Sequence, residues 1–230
     1  PEDHSMIQPG SKIVSINGKS IGEILAEIKV FIPAEGNNKT TVYYEINRKF
    51  PEYFIYLDNS RSFQLVIEND NKEKFTTGIE AVPYNRLTWL AEEQLMAADG
   101  LLSMDCEMDV KNKTAILILP SFNIRDINYY VYYLDSLFLQ FRDADICHLI
   151  LDLRGNSGGH PILAAQLFSY LTHDPFVYFD ATDKVEEMAP LYESLPPNPY
   201  VFNGKSYVLV NGGCLSTTGH LLSLLKYHQL

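Results

Sequence analysis

Two patterns of apolar residues divide the chain. Up to about residue 98, short elements of mixed type follow one another; beyond it, apolar strands alternate with amphipathic helices. In the first part, Ile7-Gln-Pro-Gly-Ser-Lys-Ile-Val-Ser-Ile-Asn-Gly18 reads as a turn, a short strand and an Asn-Gly turn. Ser20 with Glu23 makes a capping box, and Ile21, Ile24, Leu25 and Ile28 recur at helical spacing, so a helix follows and Pro33 ends it. Residues 34–40 read as a polar loop. Val42, Tyr43, Ile46, Phe50, Tyr53, Phe54 and Leu57 keep a helical period interrupted at Pro51. Phe63, Leu65 and Ile67 alternate as on a half-buried strand, and a polar run from Glu68 to Lys74 turns into a second strand near Phe75. A Tyr- and Trp-bearing segment over 83–97 links this part to the next.

In the second part, Leu102, Met104, Cys106 and Met108 alternate, and Ala115-Ile-Leu-Ile-Leu119 is a near-continuous apolar strand. Ile127, Tyr130, Val131, Leu134, Phe138 and Phe141 lie on one face of a helix. Cys147 to Leu153 reads as another buried strand, and Pro161 suits the first turn of a helix bearing Leu163, Ala164, Leu167, Phe168 and Leu171. A short strand over 175–179, a proline-rich loop over 195–200 and a last buried strand from Tyr207 to Val210 complete the series. Strands alternating with helices predict an α/β core with parallel pairing.

Composition narrows the function. With 230 residues, 46% of them apolar, the chain can fill a sizeable core. A net charge of −11 argues against nucleic acid or an anionic membrane surface as partner. No apolar run reaches the length of a membrane span. Cys106, Cys147 and Cys214 each lie in an apolar run and read as small core residues; no pair has metal-ligand spacing. No cofactor and no metal is expected. The first residue is Pro1 rather than Met, from which removal of an upstream segment is expected.

Two stretches carry the chemistry. The last strand runs into Asn211-Gly-Gly-Cys-Leu-Ser216-Thr-Thr-Gly-His220, which sets the Ser216 hydroxyl at a helix N-terminus, where free N–H groups favour developing negative charge. Such a serine is either a helix cap or a nucleophile beside half of an oxyanion hole. The second stretch, Asp152-Leu-Arg-Gly-Asn-Ser-Gly-Gly159-His160, is a glycine loop between strand and helix. It has neither the Gly-Lys ending of a nucleotide loop nor Gly-x-Gly-x-x-Gly spacing, so the nucleotide readings fail. A glycine loop and a serine turn at one sheet edge can converge on one carbonyl.

Together, Leu149-Ile-Leu-Asp-Leu-Arg-Gly-Asn-Ser-Gly-Gly159 and the Ser216 turn resemble the serine peptidases of the C-terminal processing peptidase and tricorn family, which includes chlamydial secreted members. Pro-Gly-Ser-Lys-Ile-x-x-Ile-Asn-Gly, followed by a helix, resembles the middle of a PDZ-like module. The resemblance implies a partial PDZ-like and helical module over 1–82 and a ClpP/crotonase-like peptidase core over 98–230, incomplete at its C-terminus. It implies that Ser216 is the acyl-forming nucleophile, that the N–H groups of Gly158, Gly159 and Thr217 are the oxyanion donors, and that Asp152, Arg154 and Asn156 are structural. The expected substrate is a peptide or protein, and the closest likeness is to exported bacterial members, which implies export.

A serine hydroxyl needs a general base to attack an amide. In the processing peptidases it is a lysine some way after the serine; in tricorn-like members it is a histidine upstream, helped by a later glutamate. Both would lie outside this chain, which on this reading is inactive alone. Gly219 stands where an acidic residue is usual, which favours the histidine type. Within the chain, His160 is the better candidate; His220, at i+4, shares a helix face with Ser216 but points along it rather than back to the N-terminus, and reads as a packed or capping histidine. Two other readings stay open: a non-catalytic peptide-binding relative, and a crotonase-type acyl-CoA enzyme, which shares the core but does not need the serine.

Overall fold

In the computed structural model, residues 7–36, 38–83, 104–180 and 185–230 are described. Their contacts form two units: the described residues of 1–34 and 42–98, and those of 35–41 and 99–230. The segment over 84–97, Leu102 and His4 lie outside the described residues.

The first unit is an antiparallel sheet with two helices. Strand β1 (Lys12–Ile16) turns through Asn17 and Gly18, both at positive φ, into β2 (Lys19–Ser20). Helix α1 (Ile21–Ile28) starts at the Ser20–Glu23 box: the Glu23 N–H donates to Ser20 Oγ and the Ser20 N–H to Glu23 Oε2. Helix α2 (Thr40–Phe54) carries a non-helical Lys49 just before Pro51, where the sequence predicts the interruption. The hairpin of β3 (Ser62–Glu68) and β4 (Lys74–Glu80) completes a sheet of order β2-β1-β3-β4. Ile16, Ile24, Ile28, Ile46, Leu65 and Ile67 form its core.

The second unit is a mixed α/β layer. Strands β5 (Asp105–Asp109), β6 (Thr114–Ile118) and β7 (His148–Asp152) are joined by β10 (Lys205–Leu209) in the order β10-β7-β6-β5. Strands β6, β7 and β10 are parallel; β5 runs antiparallel at one edge. Helix α3 (Ile127–Asp143) links β6 to β7. Helix α4 (Pro161–Ser169) follows β7, and α5 (Thr217–Tyr227) follows β10. A two-stranded ribbon of β8 (Phe176–Val177) and β9 (Ser194–Leu195) intervenes. Asp152 pairs with Ile118 on one side and Leu209 on the other. In parallel register the loops after all three strands therefore leave at one sheet edge.

Two expectations are corrected here. The last strand is not buried: Tyr207 and Leu209 are 43% and 40% exposed, because β10 ends the strand order. Its alternate residue Val208 still packs against the core. Cys147 lies just before β7 and is exposed rather than a core residue; Cys214 is buried and Cys106 half-buried.

Helices α3 and α4 are tied through Tyr130, fully buried, whose hydroxyl donates to the Leu163 carbonyl at 3.0 Å. Tyr130→Ala is expected to cost about 3–5 kcal/mol by leaving a cavity, and Tyr130→Phe only about 1 kcal/mol for the lost hydrogen bond. Urea denaturation of the two variants measures the difference.

Candidate active site

Three loops meet beyond the strand ends. The loop after β7 runs from Leu153 to His160, the turn after β10 from Val210 to Ser216, and the segment after β6 through Phe122. Asn156 joins them. Its side chain is completely buried. Its Nδ2 donates to the Leu119 carbonyl at 2.9 Å, and its Oδ1 accepts from the Gly158 N–H at 2.9 Å and the Thr218 hydroxyl at 2.6 Å. Its own carbonyl accepts the Leu215 N–H at 3.2 Å. A buried amide has four hydrogen-bonding positions, and three partners here come from three different loops or elements.

The glycines are required by close approach. Gly159 has φ +137, and a Cβ there would lie 2.3 Å from the Phe122 carbonyl carbon. Gly158 has φ +104, and a Cβ there would lie 2.9 Å from Ser216 Cβ and 3.1 Å from the Thr217 nitrogen. So the glycine loop lies directly against the serine turn. The Gly159 carbonyl accepts the Thr217 hydroxyl at 2.7 Å, which ties the two again.

Neighbouring groups hold the loop from outside. Arg154 grips both oxygens of Asp152, and this pairing keeps the Asp152 carboxyl below its ordinary range. The stabilisation is therefore present at neutral pH and is lost as pH falls through the lowered value. The Asn211 side chain accepts from the Gly155 and Gly213 N–H groups, at 2.9 Å each. Burial pushes the Cys214 thiol up, and the neutral thiol donates to the Leu153 carbonyl at 3.0 Å. Asp152, Arg154, Asn156 and Cys214 thus shape the loop.

Ser216 stands at the N-cap of α5 with φ 52 and ψ −125, a conformation L-residues avoid. Such backbone costs about 1–3 kcal/mol and persists only where surrounding contacts over-determine it. Strand-to-helix serine turns of this kind lift the hydroxyl clear of the backbone. The side chain is exposed and caps no helix N–H, which removes the capping reading. Among the described residues its hydroxyl has no hydrogen-bond partner.

The donors of the turn are divided. The Gly158 N–H is taken by Asn156, so it differs from the free donor that the resemblance implies. The N–H groups of Gly159 and Thr217 have no acceptor among the described residues. The Ser216 N–H donates to both carboxylate oxygens of Glu35, at 3.0 Å each. Sequence reading passed over Glu35, which stands 181 positions away in a segment legible only as a polar loop. Glu35 belongs to the same unit as Ser216.

Two histidines lie near these elements. His160 is the N-cap residue of α4; its N–H donates to the Phe122 carbonyl, and its Nδ1 is buried without a partner among the described residues. His220 is packed against the rings of Tyr178 and Phe179, with Nε2 2.6 Å from the Tyr178 carbonyl. That nitrogen carries a proton to satisfy the contact and is committed to the core. Lys226 is in the last turn of α5. Among the described residues no group of side chains is suited to a metal ion, and no helix is long and apolar enough to cross a membrane.

Asn156→Ala would strand a carbonyl, an N–H and a hydroxyl in a dry interior, and Gly159→Ala would force two backbones apart. Each is expected to lower stability by more than about 3 kcal/mol, against about 0.5 kcal/mol or less for the exposed Ser157→Ala. Chemical denaturation checks the ranking.

The family model for peptidase family S41 matches residues 113–230. No curated protein matches the sequence. Among solved structures, the crystal structure of a CPAF mutant is similar with a TM-score of 0.62 at 13% identity, covering 97% of this chain and 63% of that one. Mature CPAF gives 0.58 at 14% identity, with 97% and 62% covered. Its complex with lactacystin gives 0.58 at 14%, with 97% and 63% covered. The chain thus spans less than two thirds of the structures it resembles, and at these identities the likeness is one of fold.

Proposed function

Because the chain belongs to peptidase family S41, we propose that it carries the catalytic serine of a serine-type endopeptidase, with Ser216 as the nucleophile. The observation that carries this reading is the strained Ser216 turn packed on the glycine loop, with two neighbouring N–H groups that have no acceptor among the described residues. In the proposed reaction Ser216 Oγ attacks the scissile carbonyl carbon while a base takes its proton. Charge moves to the carbonyl oxygen, which the N–H groups of Thr217 and Gly159 stabilise as donors. The C–N bond then breaks, the amine leaves with that proton, and water hydrolyses the acyl-enzyme. Gly158 serves this site through its missing side chain, which leaves the approach to the Thr217 nitrogen open.

His160 is the candidate base within these residues, supported by its position next to Gly159 and its unpartnered Nδ1. The alternative bases are the histidine or lysine of the family pattern, beyond residues 1–230. The first unit, with its capped helix after a β1–β2 turn, is read as a PDZ-like module that presents peptide substrates. The second unit is read as the crotonase-like core over 98–230. Export follows from the resemblance to secreted members.

A fluorophosphonate applied to the full-length protein is expected to label Ser216, and Ser216→Ala should abolish labelling and peptide cleavage together. Undiminished cleavage by that variant would contradict the assignment. Labelling without any turnover would favour a peptide-binding relative, a reading that the unpartnered serine hydroxyl also fits. A fall of about 10²–10⁴-fold in His160→Gln would identify the base; an unchanged rate would move it to a residue beyond this chain.

A further inference from the structure

We propose that Glu35 is a positioning residue for Ser216: its carboxylate accepts the Ser216 N–H through both oxygens and holds the serine turn in the conformation from which the hydroxyl attacks. The assignment rests on Ser216 being the nucleophile.

The argument begins with the donors at the start of α5. The first N–H groups of a helix have no partner within the helix. Here Leu215 N–H goes to the Asn156 carbonyl, and Thr218 and Gly219 N–H go to the Leu215 carbonyl. His220 N–H goes to the Ser216 carbonyl. The Thr217 N–H has no acceptor among the described residues, and its nitrogen lies beside the space that Gly158 keeps open. That leaves the Ser216 N–H, and positive φ turns it away from the ladder on which its neighbours depend. Without Glu35 it would have only water, and the strained residue could relax toward ordinary backbone, moving both the hydroxyl and the following N–H.

Glu35 fits this task in charge and space. Each carboxylate oxygen lies 3.0 Å from the Ser216 nitrogen, so either can serve as acceptor. A carboxylate at a helix N-terminus is also favoured by the helix dipole, and a charge-assisted bond is stronger than a neutral one. Gly219 lies alongside it: a Cβ there would meet Glu35 Oε2 at 3.7 Å, an ordinary van der Waals contact. The carboxylate engages the serine's own N–H and leaves Thr217 and Gly159 for the substrate oxygen. Glu35 therefore acts through Ser216 rather than on the substrate.

The test uses the full-length protein and three forms: unaltered, Glu35→Ala and Glu35→Gln. Glu35 is exposed, so neither change should unfold the chain. The Ala variant is expected to label with fluorophosphonate about tenfold or more slowly, with kcat falling and KM for a peptide unchanged. The Gln variant keeps one acceptor oxygen and should recover most of the rate. Equal labelling of Ala and unaltered protein would overturn the assignment. So would a loss confined to KM, which would make Glu35 a substrate contact, or a Gln variant as slow as Ala. Failure of the unaltered protein to label at Ser216 would instead sink the nucleophile reading, and this one with it.

Discussion

One buried amide holds the site together. Three strands end at the same edge, and nothing in a parallel sheet requires their loops to meet. Asn156 makes them meet: it donates to the end of the β6 segment and accepts from its own loop and from the first turn of α5. In a dry interior each of these partners would be costly to leave unpaired, so the loops have one low-energy arrangement. Aspartate could not replace the amide, since it has no donor for the Leu119 carbonyl at neutral pH.

The remaining features follow from that constraint. Drawing the loops together brings backbone against backbone, and Gly158 and Gly159 accommodate it without side chains. The Thr217 hydroxyl and the Leu215 N–H then anchor both flanks of Ser216. Fixed on both sides, Ser216 holds a backbone that a free serine would not adopt. Strain at one residue is sustained by hydrogen bonds at its neighbours and by the Glu35 carboxylate on its own N–H. The Asp152–Arg154 pair and Asn211 brace the loop from its outer side.

Much of this was legible in the sequence, for identifiable reasons. The strands β6 and β7 are short apolar runs bounded by turn residues, and the capping box at Ser20 is a local pattern. The motif Asp-x-Arg-Gly-Asn-x-Gly-Gly carries its own geometry, because glycines and a buried amide are hard to substitute there. What escaped depends on distant contacts. Burial of β10 could not be read from Tyr207 to Val210, since an apolar run looks the same at a sheet edge as at its centre. The exposure of Cys147 is set by where β7 begins, a boundary that periodicity does not resolve. The capture of the Gly158 N–H by Asn156 depends on loop conformation. Glu35 reaches Ser216 across 181 positions, and no local signal marks it.

The central claim is that Ser216 and the N–H groups of Gly159 and Thr217 beside it form one reacting centre. The most direct measurement is a crystal structure of the full-length protein inactivated by a peptide aldehyde, which forms a tetrahedral adduct on a reactive serine. The account predicts a bond from Ser216 Oγ to the aldehyde carbon, with the adduct oxygen about 2.7–3.1 Å from the nitrogens of Thr217 and Gly159. An adduct on another side chain, or an oxygen turned to solvent away from both N–H groups, would contradict it.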